Sequence, residues 1–126
     1  MKKLFTFLLA IVASIGTMFA ASGKCGENLT WELTDDVLTI SGTGAMNNYS
    51  LGSTGSSTAP WNSYSSSIKS IIIKWGVTSI GEYAFNNCSR LQSVEIPNSV
   101  VSIGSHAFSG CVRMDSVNFG NGVTSI

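Results

Sequence analysis

The sequence predicts a mostly β protein: a short solenoid of 23-residue coils behind an N-terminal β-hairpin cap. Three observations predict it. The chain repeats itself at a constant offset, Val77–Ser99 falling on Val100–Gly122. Each copy carries apolar residues in an L-x-x-L-x-L spacing followed by a return segment. Ahead of the copies, residues 29–40 alternate apolar and polar on either side of Asp35-Asp36.

Residues 1–22 are read first, because a targeting segment is excluded from fold reasoning. Lys2 and Lys3 give a short positive start, Leu4 to Ile15 is almost unbroken in its apolarity, and small residues follow at Gly16, Ala20, Ala21 and Ser22. That is the three-part pattern of a secretory signal peptide. The run is short for a membrane span of about 20 residues. A cut after Ser22 puts Ala20 and Ser22 at the small-residue positions; a cut after Ala20 puts Met18 at one of them. Lys24 directly before Cys25 argues against a lipid-anchored cysteine. Membrane association is therefore expected only through the signal peptide or an anchor outside this sequence.

Residues 23–67 are expected to form the cap. Leu29, Trp31, Leu33, Leu38 and Ile40 fall on one face of a hairpin turning at Asp35-Asp36. Residues 47–59, rich in Asn, Ser, Gly and Thr, read as a mobile loop. Ala59-Pro60-Trp61 and Tyr64 then tie the chain to the first coil.

Residues 68–126 are expected to be coils: one partial, two full at 77–99 and 100–122, and a fourth just begun. The repeat superposes Ile80 on Ile103, Gly81 on Gly104, Phe85 on Phe108 and Cys88 on Cys111. A unit this short cannot bury its own apolar face, so neighbours stack into a continuous core. Ile80, Phe85, Cys88, Ile103, Phe108 and Cys111 are the expected core ladder. Leu91 to Ile96 supplies a strand ended by Pro97, which has no N–H for the ladder. Gly81 and Gly104 suit corners with positive φ. Glu82–Cys88 suits a short helical or irregular turn. A period of this length with this apolar spacing is the leucine-rich-repeat signature. The sequence ends shortly into a further unit, begun at Val123, with no closing cap, which leads us to expect a longer array.

The stretch from Val77 to Pro97 (Ile-Gly-Glu-Tyr-Ala-Phe-Asn-Asn-Cys, then Leu-Gln-Ser-Val-Glu-Ile-Pro) resembles the BspA-like leucine-rich repeat. The second copy departs at Met114 and at Phe119-Gly120, and the resemblance spans Ile68 to Ile126. Cys25-Gly26, Leu29-Thr30-Trp31, Thr39 to Gly44 and Pro60-Trp61 also resemble the leader region of such proteins. The resemblance implies a secreted or surface protein that adheres to host, matrix or cell-surface proteins.

The chemistry available is sparse. Charged residues are 11% of the chain, against roughly 25% in an average soluble protein. Polarity is carried by 21 Ser, 10 Thr and 13 Gly. Binding to nucleic acid needs clustered Lys and Arg, which this chain lacks. His106, aligned with Tyr83, reads as an exposed return-loop residue. There is no Gly-x-Ser-x-Gly elbow and no Cys-x-x-Cys. No second carboxylate aligns with Glu95 in the ladder Ile72, Glu95, Asn118. No catalytic residue, cofactor or metal is expected. Cys88 and Cys111 lie within disulfide reach, but buried free thiols fit the repeat better. Cys25 is free, paired between chains, or paired with a residue outside the sequence.

Outward strand positions are Ser70, Ile72, Ser93, Glu95, Ser116 and Asn118. Trp75, aligned with Asn98 and Asn121, either packs beneath the cap's loop or joins Ile72, Glu95 and Asn118 in a protein-binding surface. The role expected is a non-catalytic extracellular or cell-surface binding module. The alternative is a structural spacer within a longer repeat protein; an enzyme or enzyme-accessory module is the least expected.

Overall fold

The computed structural model describes residues 20–124. The positive start and apolar run of the leader, residues 1–19, lie outside the described residues. Among the described residues, nine strands and one short 3-10 turn, Asn62–Tyr64, make up the regular structure.

The larger sheet has six strands in the order β1 (Ala20–Gly26), β2 (Leu29–Thr34), β3 (Val37–Gly42), β5 (Ser70–Ile73), β7 (Ser93–Ile96) and β9 (Ser116–Phe119). The first three are antiparallel and belong to the cap. From β3 onward the sheet is parallel, because each coil returns its strand to the same starting side. The register reproduces the offset of the repeat: Ser70 pairs with Ser93 and Ser93 with Ser116, while Ile71, Val94 and Val117 align one step inward.

Asp35 and Asp36 turn the hairpin with φ of 56° and 68°. That left-handed region suits short polar side chains better than bulky ones. Leu29, Trp31, Leu33, Leu38 and Ile40 are buried on its inner face.

Two features go beyond the sequence reading. β1 covers the outer edge of β2, and it starts at Ala20, inside the 1–22 segment expected to be removed. A second, three-stranded parallel sheet runs in the order β4 (Gly44–Ala45), β6 (Val77–Ile80) and β8 (Ser102–Ile103). The core lies between the two sheets and includes Ile71, Val94, Ile80, Phe85 and Leu91, each at most 2% exposed.

Two expectations need correction, and one pair of alternatives is decided. Gly81 and Gly104 do not sit at positive φ; their glycine is demanded by close approach. A Cβ on Gly81 would run into the Asn47 carbonyl oxygen, and one on Gly104 would lie 2.6 Å from the Glu82 nitrogen. Of the two readings of the return segment, the irregular one holds: it is a chain of turns with no helix. Ala84, Asn86 and Cys88 N–H groups donate to the third residue back, while Tyr83 and Asn87 adopt φ of 56° and 62° and break any helical run. Three other donors reach the next coil, Tyr83 N–H to Ser105 O at 3.1 Å, Phe85 N–H to Ala107 O at 2.8 Å and Asn87 N–H to Ser109 O at 2.7 Å, while Glu82 N–H turns back to Asn48 Oδ1 at 2.9 Å.

The second correction concerns residues 47–59, read as a mobile loop. They are tied to the cap and the first coil at both ends, and residues 50–58 close on themselves. Asn47 N–H donates to Cys25 O at 2.8 Å and Tyr49 N–H to Glu82 O at 2.9 Å. Thr58 N–H donates to Ser50 O at 2.8 Å, and Leu51 bridges Ser57. Ser57 is buried, its hydroxyl donating to Tyr83 O at 2.8 Å and accepting from Ala59 N–H at 3.1 Å. Small polar residues here satisfy backbone groups against the first coil, as buried polar atoms must.

Candidate binding face

The outer face of the six-stranded sheet follows from strand alternation: where Ile71, Val94 and Val117 point inward, their neighbours point out. Ile72 is half-buried between Thr39 and Glu95, and Glu95 pairs in register with Asn118. Glu95 and Asn118 are exposed. A second outward row holds Ser70, Ser93 and Ser116, with the first two hydroxyls 3.3 Å apart. The serine row carries no charge, and Glu95 is the one charge among Ile72, Glu95 and Asn118.

Trp75 stands at the C-terminal rim of these strands and is 77% exposed. The alternative of Trp75 packing beneath the cap's loop is thereby overturned. Its turn is held on both sides. Lys74 N–H donates to Ile40 O at 2.9 Å, and Gly76 takes φ 114° against the Gly42 carbonyl. Gly76 N–H is bound by Ser99 Oγ at 3.0 Å. The backbone is fixed and the indole is left in solvent. An exposed Trp on a rigid turn offers large contact area at little ordering cost.

The cap extends this face. Thr39 pairs with Ile72 and Glu32 with Thr39, so these two continue the Ile72 row, while Val37 and Thr34 continue the serine row from Ser70. Sequence alternation already separated them from Leu29, Trp31 and Leu33. What the sequence did not show was that β3 joins β5 in parallel, which places the cap's outward side and the coils' outward side on one surface.

Charge contributes little here. Lys69 and Asp36 approach to 3.8 Å with both side chains about half exposed, a geometry worth at most about 1 kcal/mol. His106 lies on the opposite, return-loop side. Its ring stacks on Tyr83 at 4.9 Å and 4°, and both residues have positive φ.

The thiols are chemically quiet. Among the described residues the three cysteines are free. Burial pushes Cys25 and Cys88 up to about 12 and raises Cys111, whose Sγ contacts Phe85 O at 3.3 Å. All three are protonated at neutral pH, and a thiol is a far weaker nucleophile than a thiolate. Ile80, Phe85, Cys88 and Ile103 are buried, whereas Phe108 and Cys111 are half-buried, because no described element packs beyond β9 and β8. No cluster of three His, Cys, Asp or Glu suited to a metal ion occurs among the described residues.

A family described as BspA type Leucine rich repeat region (6 copies) matches residues 61–126. This chain belongs to that family. The BspA-type chain also resembles a solved structure, a leucine-rich repeat protein from Eubacterium ventriosum. The two share 34% identity and superpose with a TM-score of 0.75, over 85% of this chain and 28% of that one. The chain thus spans a little over a quarter of that protein's length. No curated protein matches it. Proteins with BspA-type repeats are typically non-catalytic repeat modules and commonly lie at the surface or are secreted. No helix among the described residues is long and apolar enough to cross a membrane.

Proposed function

We propose that this BspA-type chain is a non-catalytic binding module, acting outside the cell or at its surface in adhesion through protein–protein contacts. The observation that carries the reading is Trp75, held 77% exposed beside the row Ile72, Glu95 and Asn118. Aromatic anchors are among the residues on which protein interfaces concentrate their energy. The partner is a host, matrix or cell-surface protein, and no nucleic acid or cofactor takes part. Export is supported by the pattern of residues 1–22.

The experiment is surface plasmon resonance of the purified chain over immobilised extracellular-matrix proteins (collagen, laminin, fibronectin), with wild type and Trp75→Ala compared. The reading expects saturable binding to at least one of them, weakened about tenfold or more by Trp75→Ala. Equal binding by the folded variant would overturn the assignment of the face. Absence of saturable binding would favour the spacer reading, to which the bland serine row of Ser70, Ser93 and Ser116 also lends itself.

A further inference from the structure

We propose that the leader is cut between Ala20 and Ala21, so that the mature chain keeps Ala21–Gly26 as its first strand. The proposal rests on the reading of the leader as an export signal. The small-residue pattern alone favours the bond after Ser22, with Ala20 and Ser22 flanking one residue. The fold favours the earlier bond for three reasons.

First, Ala21 and Ser22 are working members of β1. Ala21 pairs with Leu33 and Ser22 with Glu32, and Ala21 packs against the core. Leu33 is only 2% exposed. Loss of both residues would uncover the Leu33 stretch of β2 and leave an open strand edge, a template for unwanted pairing.

Second, Gly23 is a poor place for a new terminus. A Cβ on Gly23 would lie 2.8 Å from Trp31 Nε1, so the indole edge packs directly against this residue. Trp31 is 6% exposed and its N–H has no partner among the described residues. A cut after Ser22 would set an α-ammonium one bond from that Cα, beside a buried donor that cannot accept a hydrogen bond from it. Third, a cut after Ala20 places the new charge at Ala21, near the start of the edge strand, and leaves the Gly23–Trp31 contact untouched.

The step is a hydrolysis by a membrane-bound signal peptidase. Water adds to the Ala20 carbonyl carbon and the Ala20–Ala21 C–N bond breaks. Ala20 departs as a carboxylate, and the freed nitrogen becomes the α-ammonium of Ala21.

The test is export of the full-length chain, carrying a C-terminal tag, from a bacterial host, followed by intact mass and N-terminal sequencing. Ser22→Leu is run beside it. Ser22 is exposed, so the change spares the fold, yet it blocks any cut that needs a small residue at position 22. The expected result is an N-terminus at Ala21 in both proteins, in equal yield. An N-terminus at Gly23, or loss of processing in Ser22→Leu, would overturn the proposal. A chain secreted with Met1 intact would overturn the cleavage proposal, and a chain kept inside the cell with Met1 intact would overturn the export reading itself.

Discussion

The cap and the coils solve one packing problem in two ways. In the coils, each layer is supplied by the same position of the next copy, so that Phe85 stacks on Phe108 at 5.4 Å. In the cap no such position exists, and Trp61 fills the layer instead. Its ring stacks on Phe85 at 5.5 Å and meets Trp31 and Tyr49 edge-on at 5.8 Å. Its N–H donates to Ala84 O at 2.7 Å. The coils economise by repetition, whereas the cap concentrates its closure on one large side chain. Damage to the cap should therefore fall on few residues, and damage to the coils should be spread.

Trp61→Ala is the strongest test of that difference. Loss of a side chain 1% exposed, with three aromatic neighbours and a buried hydrogen bond, is expected to cost about 3–5 kcal/mol. Phe108→Ala, at a half-buried site, should cost distinctly less. Urea unfolding followed by near-ultraviolet circular dichroism measures both. Equal losses would remove the distinction between cap and coil.

Gly81→Ala probes the seam where they meet. The new methyl collides with the Asn47 backbone rather than a side chain that can swing away, so we expect a loss of about 1–3 kcal/mol. Gly55→Ala has open space but φ 84°, and should lose no more than about 1–2 kcal/mol from strain alone. Thermal melts of the two variants order them.

The thiols offer a pH test that divides the same regions, Cys25 in the cap and Cys88 in the coils. Both are raised in the folded chain from 9.0 to about 12 by burial. Between those values the unfolded chain gives up its thiol protons and the folded chain keeps them. Their stabilising contribution is therefore whole below about pH 9 and is lost as pH rises towards 12. Urea midpoints under reducing conditions should fall from pH 8 to pH 10, and Cys25→Ala should flatten part of that fall. A flat profile in the wild type would show that neither thiol is buried.

Much of this division was legible in the sequence. The offset that set Ile80 on Ile103 and Phe85 on Phe108 came from counting, because a repeat writes its contacts into its own spacing. The hairpin came from alternation and Asp35-Asp36. What escaped was the work of small residues. Ala20–Gly26 has no β-branched or aromatic side chain to announce a strand, and its pairing is set by the exposed edge of β2. The Ser- and Gly-rich segment looked loose because its bonds are made by backbone groups and by Ser57, and composition does not show those partners. Gly81 was read through φ, the property of glycine visible locally, when the cause was Asn47, a neighbour in space from the cap's own loop. For the candidate face, the ladder Ile72, Glu95, Asn118 was readable from the repeat. The exposure of Trp75 was not, since it depends on where the cap's loop runs.

Trp75→Ala should have the smallest effect on folding, within about 0.5 kcal/mol, because its ring is mostly in solvent. That silence makes it the right probe of function. The most direct measurement is an NMR titration of the 15N-labelled chain with the matrix protein it binds, following the Trp75 indole signal and the amides of Ile72, Glu95 and Asn118. Shifts or broadening confined to that group, with Tyr83 and His106 unmoved, are the expected result. Perturbation centred on Tyr83 and His106, with the Trp75 indole unchanged, would contradict the account and move the binding face to the return-loop side.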